Sequence, residues 1–85
     1  MKPLNYAILK YTTTVDRCCV ADVQEALKAE YSSFRMFKPA GILESLMTGE
    51  ANGFLAEDGY ELDANGELVI YYKCIDPDSI NSYIK

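Results

Sequence analysis

Histidine and tryptophan are absent from this 85-residue chain, and cysteine occurs only three times, as Cys18, Cys19 and Cys74. Without histidine or a Cys-x-x-Cys spacing, three sulfurs make no zinc site. An odd cysteine count is no disulfide framework. Adjacent Cys18 and Cys19 point to opposite sides of an extended chain, so only one of them can face Cys74. All three read as buried thiols acting as small hydrophobes. Gly49, Gly53, Gly59 and Gly66 are followed by no Lys-Ser/Thr pair, which excludes a phosphate loop. No stretch approaches the roughly 20 apolar residues of a membrane span. The start, Lys2-Pro3-Leu4-Asn5, lacks the apolar run of a signal peptide, so a cytoplasmic protein with no membrane partner is expected. We therefore expect no enzyme, with no catalytic, metal-ligating or cofactor-binding residue.

What is present suits one domain spanning 1–85: 49% hydrophobic residues can build a core, and 25% charged residues match an ordinary folded surface. From Pro3 to about Thr14, Leu4, Ala7, Ile8 and Tyr11 share a helical face, with Pro3 placed in the first turn. The β-branched run Thr12-Thr13-Thr14-Val15 should end that helix, and Arg17-Cys18-Cys19 suits a short extended piece. A second helix, Val20–Tyr31, carries Val23 and Leu27 inward and has Asp22 and Glu25 near its positive end. A third starts at Pro39, with Ile42, Leu43, Leu46, Met47 and Ala51 as its expected buried stripe. Asn52-Gly53 should close it through a left-handed Gly53, with Phe54 completing a Schellman motif.

After Phe54 the period becomes alternating. Tyr60 and Leu62 lead into Asp63-Ala64-Asn65-Gly66-Glu67 and then Leu68-Val69-Ile70-Tyr71-Tyr72. The Asn-Gly pair predicts a tight hairpin with positive φ angles. Asp76 as N-cap, Pro77, and the apolar face Ile80, Tyr83 and Ile84 predict a final short helix.

The order of helix, short extended piece, helix, helix and hairpin resembles a winged-helix (winged helix-turn-helix) domain over about residues 4–75. The text is similar too. ADVQEALKAEY resembles that family's second helix. GILESLMTGEANGFL resembles its third helix running into the wing, as Leu-x-x-Leu, small polar residues, Asn-Gly and an apolar pair. The resemblance implies an α+β fold with a three-helix core, a β-hairpin wing and a short C-terminal helix. It also implies that the third helix (about 38–53) could enter the DNA major groove, with the wing near phosphates. Carried over by position, its outward face is Lys38, Gly41, Glu44, Ser45, Thr48 and Asn52. Lys38, Ser45, Thr48 and Asn52 are the candidate recognition residues of a DNA-binding transcriptional regulator.

Charge argues against that use. Residues 1–33 hold four bases and four acids, residues 34–54 two of each, and residues 68–85 two of each. The formal charge of −5 therefore falls on Glu57, Asp58, Glu61, Asp63 and Glu67, an acidic wing. DNA affinity comes largely from neutralising phosphates, so a bacterial-type winged-helix-like module that binds a protein, as an adaptor, ranks above DNA binding.

Two further patterns carry less. Asp63-x-Asn65-x-Glu67 begins like a calcium loop, but its glycine falls at the fourth position instead of the sixth and Cys74 stands twelfth. Adjacent Glu57 and Asp58, with no nucleophile constellation beside them, read as a solvated acidic face. Seven tyrosines suit an interface, where a rigid apolar ring carries one polar tip. Tyr6 and Leu9, off the main stripe of the first helix, with Tyr83 and Ile84 at the C-terminus, form the candidate self-association surface of a homodimer.

Overall fold

Three successive threonines set the end of the first helix. In the computed structural model, which describes residues 2–85, the hydroxyls of Thr12, Thr13 and Thr14 donate to the carbonyls of Leu9, Lys10 and Tyr11 at 2.6, 2.6 and 2.7 Å. Such bonds to the residue three back compete with helix propagation. The helix, α1, accordingly spans Leu4–Thr12 rather than reaching Thr14. Pro3 is also displaced from its expected first turn. It is the N-cap, with ψ 149°, and its carbonyl accepts from Ala7.

The chain then reverses through Cys18, whose N–H and C=O each bond Tyr72 at 2.8 Å in an isolated antiparallel bridge. Helix α2 (Val20–Tyr31) begins immediately afterwards. The Asp22 carboxylate reaches back to accept from the Cys19 backbone N–H at 3.0 Å, satisfying one orphan donor of the first turn. Helix α3 (Pro39–Ala51) ends as expected: Gly53 N–H bonds the Glu50 carbonyl and Phe54 N–H the Gly49 carbonyl, with φ +83° at Gly53. These are the two bonds of a Schellman cap.

Strands β1 (Leu55–Leu62) and β2 (Leu68–Cys74) form an antiparallel hairpin, with an irregularity between Glu57 and Tyr60. Its turn differs from the expected tight Asn-Gly type. Only Gly66 has positive φ, +78°, and Asn65 does not. Asp63 N–H bonds Glu67 C=O, and Gly66 N–H bonds Asp63 C=O, both at 2.9 Å. That pattern is a three-residue loop ending in a left-handed glycine. The Asp63 carboxylate stabilises it by accepting from Asn65 N–H at 2.8 Å and Glu67 N–H at 3.0 Å. Helix α4 (Pro77–Ile84) is capped by Asp76, which accepts from Asp78 N–H at 3.1 Å.

The core joins all these elements: Ile8 and Leu9 of α1, Cys18, Val23 of α2, Ile42 and Leu46 of α3, Leu55, Tyr72 and Ile80. Cys18 and Cys19 are buried free thiols, and burial pushes the Cys18 thiol up to about 12. Two expectations for α3 are corrected. Met47 and Ala51, expected in the core, are exposed, Met47 at 53%, while Leu43 only leans on it. Gly41, expected on the outer face, is buried. The inward line is Gly41–Ile42–Leu46–Gly49, and two glycines make it possible. A Cβ on Gly49 would lie 2.8 Å from Leu55 Cδ1, and one on Gly41 2.2 Å from the Met36 carbonyl oxygen. The helix is therefore drawn tight on its glycine side. Leu43 and Met47, about 100° further round, turn outward.

Candidate interaction surface

One outward line of α3 is apolar along the length of the helix. Ala40, Leu43, Met47 and Ala51 line a shallow trough of about 380 Å³, with Glu44 and Thr48 along its border. Spacings of three, four and four keep those four side chains on one line. Ala40 and Leu43 also belong to the neighbouring groove of about 430 Å³, which runs between the N-terminal turns of α2 and α3 and the hairpin. Its far wall is Leu68, Val69 and Ile70, and Asp63 and Glu67 lie at its mouth. The two hollows thus make one continuous surface from the end of α3 to the hairpin tip.

The hairpin extends that surface. Leu62 lies directly opposite Leu68, and Tyr60 opposite Ile70; directly paired residues share a face of an antiparallel ladder. Tyr60, Leu62 and Leu68 are 74%, 66% and 58% exposed. The other face of the hairpin is internally satisfied. Arg17 stacks over Tyr71 with its guanidinium carbon 3.9 Å from the ring centroid, and it donates to the Asp58 carbonyl at 3.1 Å. The Tyr71 hydroxyl donates to the Glu61 carboxylate, and that bond is the largest cause of its phenol being pushed up to about 12. Arg17 and Glu61 are therefore held within the sheet.

Three of the four residues expected to read DNA lie together at the surface, Thr48 and Asn52 exposed and Ser45 half-buried. Ser45, Thr48 and Asn52 line an adjoining cleft of about 330 Å³, which shares Glu44 and Thr48 with the trough and has Leu4 and Asn5 of α1 and Tyr83 of α4 on its other side. Lys38 is exposed but sits apart, as the N-cap of α3. Helix α3 itself, PAGILESLMTGEA, contains no basic residue. Two other bases are engaged locally: Lys10 donates to the Asn81 side chain and Lys28 pairs with Glu25, both at 2.9 Å.

The four residues expected to form a self-association surface are largely occupied within the chain. Leu9, expected off the packed stripe, is buried at 6% exposure because α3 and β1 cover that side of α1 at Gly49 and Leu55. Ile84 is half-buried against the core. Tyr83 packs on Tyr6 and Phe54, with ring centroids 5.3 and 4.8 Å apart, which pins α4 to α1 and to the entry of β1. Tyr83 keeps an exposed edge.

Among the described residues no group of three or more His, Cys, Asp or Glu is arranged to hold a metal, and no helix is long and apolar enough to cross a membrane. Ala40, Leu43, Met47 and Ala51 escaped notice as a surface because an apolar stripe at helical spacing reads as core. The available signal was its width. Ile42, Leu43, Leu46 and Met47 together span more of the helix than one packing contact covers. Compared with protein-family models, with curated proteins and with solved structures, the chain finds no match.

Proposed function

We propose that this chain is a winged-helix-type domain that serves as a non-enzymatic protein-interaction or adaptor module, docking its partner on the outer face of α3 and the hairpin. The winged-helix reading is supported by the element order and by the Cys18–Tyr72 bridge, which adds the short extended piece to β2 beside the hairpin. The single observation that carries the function is the chemistry of the outer α3 line. Ala40, Leu43, Met47 and Ala51 offer van der Waals area and no charge, where a DNA reader presents bases and amide side chains. Exposed apolar surface continuing across two elements is the mark of a docking site.

Titration of labelled duplex DNA, followed by anisotropy at low and moderate salt, tests this reading. Arg35 and Lys38 are the bases nearest α3 in the chain, so the slope of log affinity against log salt should be no steeper than about −2. We expect weak binding that vanishes near physiological salt. Tight binding with a steep salt dependence would return α3 to a DNA-reading role. Replacing Glu57 and Glu67 with Lys should raise DNA affinity only if the hairpin lies beside DNA. These two are better choices than Glu61, which is tied to Tyr71.

A further inference from the structure

We infer that the partner seated on this face is an amphipathic helix whose apolar line is flanked by lysine or arginine. The inference rests on the docking reading above and adds the partner's chemistry.

Shape favours a helix. The line Ala40–Leu43–Met47–Ala51 is straight, runs the length of a 13-residue helix, and has small residues at both ends and large ones between. Ala40 and Ala51 leave room at the ends of the contact for larger side chains of the facing helix, while Leu43 and Met47 fill its central grooves. Methionine at the centre suits a surface that must adapt to its partner. The groove beside Leu68 and Ile70 would take a large apolar side chain projecting from the end of the same partner helix.

Charge selects the flanks. The charged residues lining the two hollows are all acidic: Glu44 beside the α3 line, and Asp63 and Glu67 at the hairpin mouth. Lys38 is the nearby base along the chain, but it lines neither hollow. The turn bonds at Asp63 leave its net charge in place, and Glu67 is exposed. A basic rim on the partner gains from these carboxylates at encounter and in register, whereas an acidic rim is repelled. A second copy of this chain would bring the same acidic rim and an α3 without a base, so it is the poorer occupant.

Two synthetic peptides of about 14 residues, roughly the ~20 Å length of α3, provide the test. Both carry a leucine line at helical spacing; one is flanked by lysines and the other by glutamates. Binding of each to the full chain is read by fluorescence anisotropy. The lysine peptide should bind, and salt should weaken it; the glutamate peptide should not bind. Met47→Glu is the decisive variant, since it adds a negative charge at an exposed position where the fold tolerates it. Diffuse attraction to an acidic protein would strengthen with that change. Seating on the apolar line instead predicts a loss of about tenfold or more, as for a central interface residue. Joint Glu44→Lys and Glu67→Lys should invert the preference between the peptides. Equal binding of both peptides would overturn the basic-partner inference while leaving the docking face standing. An unchanged or increased affinity in Met47→Glu, or no binding of either peptide, would overturn it as well. Tight, salt-steep DNA binding in the companion titration is the separate result that removes the docking reading.

Discussion

Ile42 and Leu46 have no exposed surface, while Leu43 and Met47, each one residue further along α3, are half-buried and 53% exposed. The two pairs are close in size and apolarity, so hydrophobicity alone does not assign them to opposite fates. Backbone approach does. The Met36 carbonyl comes up against Gly41 at a distance no Cβ could occupy, and the Leu55 side chain against Gly49 at one where it would have to shift. The side of the helix that carries those glycines is the buried one, with Ile42 and Leu46. A helix with apolar residues on both sides then leaves one apolar line outside the core.

The largest difference between the two sides should appear on truncation. Leu46→Ala should cost about 2–5 kcal/mol in denaturant titration, as for other buried leucines. A loss under about 0.5 kcal/mol would put the inner line elsewhere on the helix. An effect of similar order should come from Cys18 at high pH. Its thiol is raised from an ordinary 9.0 to about 12, first by burial and then by Asp22 and Cys19. A group raised on folding contributes stability that is complete below its unfolded pKa and is lost as pH climbs through the folded one. Stability should therefore decline progressively from about pH 9 toward 12, and Cys18→Val should flatten the first part of that decline. A wild-type profile flat up to pH 11 would place the thiol near solvent.

Gly41→Ala comes next, at about 1–3 kcal/mol, because the atom it meets is backbone and cannot rotate away. The comparison fails if alanine at 41 is neutral. In the hairpin, Gly66→Val should cost about 1–2 kcal/mol for its positive φ, and Gly66→Asn distinctly less. Equal costs would contradict the left-handed turn. Smallest of all, Met47→Ala should change stability by no more than about 0.5 kcal/mol, as at an ordinary surface position. Set against Leu46→Ala, that near-zero value is the sharpest statement of how the two sides differ.

Much of this architecture was legible before any coordinates. Pro39, Asn52-Gly53, Asp76-Pro77 and the alternation around Gly66 are local signals, and each element they bound is where those residues place it. Threonine back-bonding shortened α1 and Asp63 reshaped the turn, both through side-chain bonds that propensity and spacing do not register. The outer apolar line of α3 was not legible, because a stripe pattern gives the direction of burial only to within the stripe's own width. Which half faces in depends on Met36 and Leu55, contacts made across gaps of five and six residues outside the helical repeat. Ser45, Thr48 and Asn52 do lie outside the core, but their spacing does not reveal that α1 and Tyr83 line the other side of the same cleft. Charge was the most transferable reading. The acidic hairpin needs only composition by segment, and in the folded chain Glu57, Glu61, Asp63 and Glu67 are exposed.

Amide chemical-shift mapping of the isotope-labelled chain with the lysine-flanked peptide tests the central claim most directly. The docking account predicts the largest perturbations at Ala40, Leu43, Met47, Ala51, Leu68 and Ile70, saturating together with one affinity. Perturbations concentrated instead at Ser45 and Asn52, or scattered over acidic residues throughout the surface, would contradict it.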